Sequence, residues 1–243
     1  YTRINSNLES AKMNVLDVLI LEEEIYISYS EIISEKCSTL NISKAKISKE
    51  KLIFEIFFKS EDCQAKFFAG KMALFKHDEK MGLLLTADIY GVALVEERPR
   101  KEATILAQND KSTFGKILFI DFENKKLKIF SKGHRTPQGL FVVNNNFILS
   151  TEHGPRGGDE INLIKFGKNY GWPISSYGET YLSQKQSTKK YQYLKNHENN
   201  GYVEPIYSFV PSIGISQIIK VPDDFSEYWK NNFLVTSLNG GSI

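Results

Sequence analysis

The sequence lacks three features that would each mark a particular class of protein. It has no large excess of either charge, because 31 basic and 29 acidic side chains leave a net charge of +2. It has no apolar run of the ~18 residues that a membrane helix needs, since the longest candidate, Gly82–Val95, contains Asp88. With 41% apolar residues it also lacks the polar composition of a disordered chain. These features exclude a nucleic-acid partner, a membrane-spanning helix and a disordered protein.

Cysteine is also scarce, with only Cys37 and Cys63. Neither belongs to a closely spaced pair of the kind that binds zinc, so the sequence predicts no zinc site. Two separate thiols are the expected state, because an isolated pair is not a disulfide framework. The alternative is one disulfide bond that closes the first sheet segment, which would indicate an oxidising compartment.

The length of 243 residues fits one large domain that can bury a sizeable core. The chain starts at Tyr1 and ends at Ile243, directly after a strand-like run, and neither end resembles a natural domain boundary. We therefore expect residues 1–243 to form a single domain that is truncated at both ends.

Short strand-like segments separated by turns recur along the whole sequence. Aromatic residues make up 12% of the chain, and many have β-branched neighbours, which favours strands. The pattern predicts strands over Glu24–Ser30, Leu52–Phe58, Lys71–Phe75, Leu83–Thr86, Ile117–Phe122, Leu127–Phe130, Leu140–Val143, Phe147–Ser150, Ile161–Lys165, Ile206–Val210, Gln217–Val221 and Phe233–Thr236. One short helix is predicted over Asp223–Lys230. Strand pairs repeat about every 40–50 residues, the size of a propeller blade, although sandwiches and barrels have a similar strand density.

One segment, Gly133–Pro173, has a composition unlike the rest of the chain. Two of the five arginines, Arg135 and Arg156, lie in it among glycines and prolines that indicate loops. The planar guanidinium of Arg135 is suited to a carboxylate or a quinone-type oxygen. The carbonyl oxygens of Gly154 and Pro155 are hard ligands of the kind that calcium takes. Ordinary turns and surface charges explain the same composition equally well.

Three motifs follow one another in this region: Gly133–Leu140, Glu152–Asn162 and Asn169–Pro173. Their order and spacing resemble the soluble aldose dehydrogenases of the glucose/sorbosone dehydrogenase family. The resemblance is strong over Lys116–Pro173 and looser over the rest of the chain. It implies a six-bladed β-propeller, an all-β fold, of which this incomplete chain would contain about four to five blades.

The resemblance also implies a site for pyrroloquinoline quinone and calcium. Gly154 and Pro155 would bind the calcium ion that holds the cofactor, and Glu160 and Tyr170 would bind a second, structural calcium. Arg135 would contact the quinone oxygens and stabilise the negative charge that hydride transfer places on them. Further cofactor contacts are implied for Thr136, Gln138, Tyr181, Tyr207 and Ser212. For the two tyrosines, packing within a strand is the alternative.

The implied reaction is oxidation of an aldose at C1, with a small sugar as substrate and an external electron acceptor. By the same resemblance the protein would be periplasmic or extracellular. His197 lies in the polar segment Lys195–Asn200, and we expect no role for it.

The sequence departs from the family pattern at the general base. The best match to the family's histidine run is Phe67–Met72, which puts Phe67 at the base position, and phenylalanine accepts no proton. His77 is an alternative base, but ten residues of slippage would move it across a strand. Thr136 also replaces an asparagine of the family. The alternative function is a non-catalytic, calcium-stabilised propeller that binds a ligand. A calcium-dependent hydrolase is disfavoured, because no pair of acid and base carboxylates is visible.

Overall fold

A computed structural model describes residues 5–8, 10–89, 106–179 and 192–239. The first large sheet contains β2 (Met13–Leu21), β3 (Glu24–Ser34), β4 (Cys37–Lys46) and β6 (Glu55–Lys59). The second contains β7 (Met72–His77), β8 (Lys80–Ala87), β9 (Lys116–Asp121) and β10 (Leu127–Lys132), with β14 (Lys168–Asn169) at its edge. The third contains β11 (Pro137–Asn144), β12 (Phe147–Glu152), β13 (Asp159–Ile164) and β15 (Tyr207–Phe209).

The remaining elements are short. A hairpin is formed by β16 (Ile215–Lys220) and β17 (Phe233–Ser237), and a parallel pair by β1 (Asn5–Ser6) and β5 (Lys51–Leu52). Single turns of 3-10 helix cover Ser10–Lys12 and Glu198–Asn200. In the described parts of the chain, no helix has the length and apolar character needed to cross a membrane.

The sheets are arranged as blades of a propeller. The first strands of the successive sheets are β2, β7, β11 and β16. Each of the first three contacts the first strand of the next sheet. In each large sheet four successive strands are antiparallel neighbours, which is the construction of a propeller blade, and the short edge strand β14 pairs in parallel with β10. Three blades are complete in the described residues, and a fourth is present as the β16–β17 hairpin. The prediction of an all-β, incomplete propeller is confirmed.

The second sheet is buried on both faces, which explains why its central strands are continuous apolar runs. In β8, Leu83 and Leu85 belong to the core shared with the first sheet, whereas Leu84 belongs to the core shared with the third sheet. Strand β9 alternates between the two cores in the same way. Each fully buried aliphatic side chain contributes about 1.5–3 kcal/mol to folding. Packing of neighbouring blades on this sheet is therefore a major source of stability.

A disulfide bond joins Cys37 to Cys63. The expectation of two separate thiols is therefore wrong, and the alternative of one disulfide bond is confirmed. The backbone brings the two cysteines together, because Ser38 and Gln64, which follow them directly, exchange backbone hydrogen bonds of 2.6 and 3.1 Å.

We expect replacement of both cysteines by serine to lower the free energy of unfolding by about 3 kcal/mol. The bond spans 26 residues, and closing a loop of this length removes about 3–4 kcal/mol of chain entropy from the unfolded state. Urea denaturation measures the difference. A reducing agent provides the control, since it should destabilise the native protein and leave the double variant unchanged. Equal stability of the oxidised and reduced native protein would contradict the prediction.

The predicted strand over Leu52–Phe58 is interrupted in the structure, and β6 begins only at Glu55. The side chain of Asn7 causes the break, because it exchanges hydrogen bonds of 2.8 and 3.0 Å with the backbone of Phe54. These bonds take the place of a strand partner at that residue.

The predicted helix over Asp223–Lys230 is wrong, because the segment forms separate turns. The backbone N–H of Phe225 donates to Pro222, and that of Trp229 donates to Ser226, each three residues back. An eight-residue segment is too short to form a stable helix without a buried face, and this one is mostly exposed.

Candidate functional site

Arg135 lies between β10 and β11 at the end of a buried chain of hydrogen bonds. Its backbone N–H donates to the carboxylate of Glu152, and the same carboxylate lies 2.9 Å from Nδ1 of His134. The other ring nitrogen of His134 lies 2.8 Å from the hydroxyl of Ser131. All four residues are buried. The backbone at Arg135 is therefore fixed by polar groups inside the fold.

The guanidinium of Arg135 is held by a carbonyl and an aromatic ring. Its Nη1 donates to the carbonyl oxygen of His153 at 3.1 Å, and its Cζ lies 5.4 Å from the centre of the Trp172 ring, in the range of a cation–π contact. The residue is only 5% exposed. A fixed, buried guanidinium stabilises a nearby negative charge without first having to reorganise.

Glycine is required at Gly133, where the arginine loop begins. Its φ is 77°, and a Cβ atom here would overlap the side chain of Asn169 and lie 2.7 Å from the backbone nitrogen of Gly171. The carbonyl of Gly133 also accepts a 2.9 Å hydrogen bond from Trp172. This close approach brings the first and third sequence motifs together.

The loop over residues 153–158 makes its closest contacts through backbone. A Cβ atom on Gly154 would overlap the carbonyl oxygens of Gly157 and Gly158, so these oxygens face the same small space. The ring of Pro155 packs on the backbone of Gly178, where an added Cβ atom would lie 2.7 Å from the proline ring. The backbone of residues 154–158 is therefore folded tightly on itself, which leaves no room for a side chain at Gly154.

Asp159 connects this loop to the segment that leads into β16. Its Oδ1 accepts hydrogen bonds of 3.0 Å from the backbone of Gly154 and 2.8 Å from the hydroxyl of Ser212. Its Oδ2 accepts three backbone hydrogen bonds of 2.8–3.1 Å, from Ile213, Gly214 and Ile215. The Ser212 hydroxyl, for which a cofactor contact was implied, is thus bonded to Asp159 in the structure.

Glu160 and Tyr170, the implied ligands of a structural calcium, line one small cavity together with Arg135 and Gly154. Its volume of about 10 Å³ suits a single water molecule or ion. Glu160 is 7% exposed, and burial, followed by the charge of Glu152, raises its pKa well above the usual value. Its Oε2 accepts a 3.2 Å hydrogen bond from the side-chain amide of Asn162. A cation beside this carboxylate would relieve the cost of burying it.

His197 lines the same cavity, although the sequence indicated no role for it. It is only 1% exposed, its ring is stacked on Tyr177 with centres 5.3 Å apart, and its Nε2 lies 3.7 Å from Oε1 of Glu160. Burial lowers the pKa of His197, while the charges of Glu204 and Glu152 and hydrogen bonds to the backbone of Tyr170 and Val203 favour the charged ring. Nothing in the polar segment around it distinguishes it from a surface histidine.

The remaining implied cofactor contacts are distributed around this region. Thr136 is buried next to Arg135, and Gln138 donates a 3.1 Å hydrogen bond to the carbonyl of Phe68. Tyr207, at the start of β15, is 57% exposed. Tyr181 lies outside the described residues.

Phe67, at the family's base position, is part of the hydrophobic core. It is buried, and its ring centre lies 5.9 Å from that of Phe114. The same core cluster contains Trp172, the ring beneath the guanidinium of Arg135. The structure therefore places a core aromatic ring at the position for which the resemblance implies a base, in a segment that is joined to β11 by the hydrogen bond from Gln138 to Phe68.

His77 lies at the opposite end of the second sheet from Arg135. It pairs with Lys80 at the β7–β8 hairpin, whereas the carbonyl of Arg135 accepts a 2.9 Å hydrogen bond from Ile89, just beyond the other end of β8. At about 3.3 Å per residue, the length of this strand separates the two by roughly 25 Å. The structure does not bring His77 to the candidate site.

The sequence is similar to that of known dehydrogenases. The family model described as Glucose / Sorbosone dehydrogenase matches residues 17–243. The aldose sugar dehydrogenase YliI of Escherichia coli (strain K12) is 32% identical over 126 residues, which are 51% of this chain and 33% of that protein. The quinoprotein glucose dehydrogenase B of Acinetobacter calcoaceticus is 41% identical over 76 residues, 30% of this chain and 16% of that protein. The alignments thus span a third or less of these relatives.

Solved structures share the fold. The apo-form of the soluble aldose sugar dehydrogenase of Escherichia coli matches with a TM-score of 0.71 and 23% identity, over 94% of this chain and 67% of that one. The PQQ-bound form of the aldose sugar dehydrogenase of Streptomyces coelicolor matches with a TM-score of 0.61 and 20% identity, over 94% and 61%. At these identities the structural likeness supports the fold alone. Because the family model matches nearly the whole chain, this chain belongs to the glucose/sorbosone dehydrogenase family.

Proposed function

We propose that the whole protein oxidises a small aldose at C1, with calcium-bound pyrroloquinoline quinone as the hydride acceptor and an external electron acceptor to regenerate it. The observation that carries this proposal is the buried guanidinium of Arg135, held against Trp172 beside the glycine loop. Arg135 and Gly154 line the same cavity, so the positive charge of the guanidinium lies next to the loop over residues 153–158. Family membership supports the same reaction type.

The residues present fit the cofactor and its calcium ion. Gly154 and Pro155 would hold the ion through their carbonyl oxygens, which are ligands of the kind that calcium takes, and Gly154 lines the same cavity as Arg135. When bound, the quinone supplies a hydride acceptor that the amino acids cannot provide. Further cofactor contacts are proposed for Thr136, Gln138, Tyr181, Tyr207 and Ser212.

The chain's own residues supply orientation and charge. Arg135 would stabilise negative charge on the bound ligand, since its guanidinium is already fixed. Glu152 and His134 hold the backbone of Arg135 in place, and Trp172 excludes water from one side of the guanidinium. These residues would bind the ligand and position it, and none of them is proposed as the base.

A second cation is proposed between Glu160 and Tyr170, as the family resemblance implies. The raised pKa of Glu160 supports it, because burial and the Glu152 charge disfavour an uncompensated carboxylate there. Calcium is the ion that the resemblance implies. The cation would join β13 to the loop after β14 and stiffen the wall of the site.

A non-catalytic propeller that binds the same ligand is the second candidate. The buried aromatic ring of Phe67 at the base position favours it, since loss of a general base lowers the rate by about 10²–10⁴-fold. The two candidates share the cofactor face and differ only in turnover.

A periplasmic or extracellular location is proposed as well. The Cys37–Cys63 disulfide bond supports it, because such bonds persist in oxidising compartments and are rare in the cytosol.

Reconstitution tests the function directly. The full-length protein, freed of metal and reloaded with calcium and pyrroloquinoline quinone, should bind the cofactor and reduce a dye slowly with aldoses. The Arg135→Gln variant should bind the cofactor at least about tenfold more weakly, since a charge-assisted contact is worth about 1.5–3 kcal/mol. Cofactor binding is followed by the shift in thermal midpoint, which does not depend on turnover. No shift with the native protein would contradict the proposed cofactor site.

A further inference from the structure

Lys116, the first residue of β9, is completely buried although its side chain ends in an ammonium group. Its Nζ donates three hydrogen bonds, to the carbonyl oxygens of Leu106, Ala107 and Phe114 at 2.8, 2.9 and 2.7 Å. The partners that the described residues give this ammonium are therefore main-chain oxygens, and none of them is a carboxylate.

A positive charge at this position opposes folding. Burial lowers the pKa of Lys116 to about 7, and the charge of Asp110 offsets only part of that shift. The three carbonyl oxygens act in the opposite direction, because hydrogen bonds to an ammonium favour its charged form. An apolar side chain would fill the same space without the cost of burying a charge. The oxygens that Lys116 holds therefore explain why a lysine stands here.

The first segment bonded by Lys116 leads to the candidate site. Residues 106–108 are helical, and the carbonyl oxygen of Ala107 accepts a second hydrogen bond, of 3.2 Å, from the backbone N–H of Gly133. Gly133 is the residue at which the arginine loop begins. One carbonyl oxygen thus joins the ammonium of Lys116 to the start of that loop.

Gln108 extends this connection to the third sequence motif. Its Nε2 donates to the carbonyl oxygen of Trp172 at 2.7 Å, and its side-chain amide exchanges hydrogen bonds of 2.6 and 3.2 Å with that of Asn169. The ring of Trp172 is the one against which the guanidinium of Arg135 lies. Residues 106–108 therefore hold both the arginine loop and the ring beneath its guanidinium.

The second segment bonded by Lys116 also reaches the arginine loop. Phe114 precedes Gly115, whose carbonyl oxygen accepts a 3.1 Å hydrogen bond from the backbone N–H of His134. Gly115 has a φ of 64°, and a Cβ atom on it would lie only 2.5 Å from the carbonyl oxygen of His134. The two stretches of backbone are thus in close contact, and loss of the ammonium would release both segments at once.

We infer that Lys116 is a positioning residue for the candidate site. Its ammonium fixes residues 106–108, and Gln108 in turn fixes Trp172. The guanidinium of Arg135 keeps its place because this ring and the loop that carries it are held from the same side. Lys116 itself does not touch the ligand. The inference rests on the proposed function for the identity of that ligand, whereas the support of Arg135 is a property of the empty protein.

Amide hydrogen exchange tests this support without any ligand. The full-length protein is freed of metal and cofactor, and Lys116→Met removes the ammonium while it keeps an unbranched side chain. We expect exchange of the backbone N–H groups of Gly133 and Trp172 to become at least about tenfold faster, because their segments open locally once a buried hydrogen bond is lost. Gln108→Ala should accelerate exchange at Trp172 in the same way. Mass spectrometry of the peptides that contain these residues measures the rates.

Cofactor binding measures the consequence for the site. The variants are titrated with pyrroloquinoline quinone in the presence of calcium, at a temperature at which circular dichroism shows each of them to be folded. Affinity should fall about 10–100-fold in Lys116→Met and in Gln108→Ala, because a charged group that is slightly misplaced loses most of its effect. The double variant should bind no more weakly than the weaker single variant, because both changes interrupt one connection. A merely structural role would make the two losses additive.

Lys80→Met is the matched control. It makes the same substitution in the same sheet, at the β7–β8 hairpin, where Lys80 forms a 3.0 Å ion pair with the buried carboxylate of Asp121. This variant loses the same charge and is also destabilised, because Asp121 loses its partner. Exchange at Gly133 and Trp172 and the cofactor affinity should stay at the native values, since the hairpin lies at the end of the sheet away from Arg135.

Native exchange rates at Gly133 and Trp172 in Lys116→Met, or native cofactor affinity in that variant, would overturn the inference. If Lys116→Met does not fold, Gln108→Ala decides, because the half-buried Gln108 carries the same connection to Trp172, and native exchange there would overturn the inference too. If the native protein binds no cofactor, the proposed function fails, and the exchange rates of the empty protein still decide whether Lys116 holds the site.

Discussion

Replacement of Asp159 by alanine is expected to lower the free energy of unfolding by about 4 kcal/mol. The carboxylate accepts five hydrogen bonds, four of them from backbone N–H groups, and Asp159 is buried. Alanine would leave these donors without a partner, and each buried donor that stays unsatisfied costs about 1–3 kcal/mol. The change acts on two distant segments at once, because Asp159 joins the loop at Gly154 to residues 213–215.

Urea denaturation of the two proteins measures this loss. The matched control is Asp224→Ala, at an exposed position in the turns after β16, where a change within about 0.5 kcal/mol is expected. Proteolysis should also become faster at the glycine loop of the Asp159 variant. A loss below about 1 kcal/mol would show that water replaces the carboxylate and that the loop is held by other contacts.

The sequence predicted the central strands of the second sheet, but it missed both β2 and β4 of the first sheet. Leu83–Thr86 and Ile117–Phe122 were recognisable because both faces of their sheet are apolar. Strand β4 was missed, because it carries buried polar residues that resemble a loop in sequence: Ser38, Thr39, Asn41 and Ser43. One of them, Ser43, pairs with the hydroxyl of Tyr29 at 3.0 Å, a partner that only the assembled sheet provides.

The candidate site shows the same division between local and distant information. Arg135 and the glycine loop were identified from contiguous motifs. Asp159 and His197 were not assigned their contacts, because their partners lie far away in sequence. The Asp159 carboxylate bonds to residues 53 to 56 positions later. The ring of His197 lies close to the carboxylate of Glu160, although the two residues are far apart in the sequence. A single sequence carries no periodicity that links such positions.

Phe67→His in the full-length protein is expected to raise aldose turnover by about 10²–10⁴-fold, the usual contribution of a general base. Hydride leaves C1 readily only as the anomeric hydroxyl loses its proton, and the phenyl ring of Phe67 has no lone pair to accept it. The carboxylate of Asp88 lies close to this position, since its Oδ1 is 3.3 Å from the backbone nitrogen of Phe68 and 3.4 Å from that of Ala69. The backbone that carries position 67 is therefore fixed by a buried carboxylate.

The substitution also has a cost that separates catalysis from folding. An imidazole in the cluster around Phe67 and Phe114 should lower the free energy of unfolding by about 1–3 kcal/mol, because a polar group is buried among apolar ones. Phe114→His is the matched control, since it places the same group in the same cluster and should destabilise the protein without raising turnover. Dye reduction with calcium and cofactor present compares the three proteins. If the unmodified protein turns over as fast as Phe67→His, another residue is the base. Phe67 would then have only a packing role.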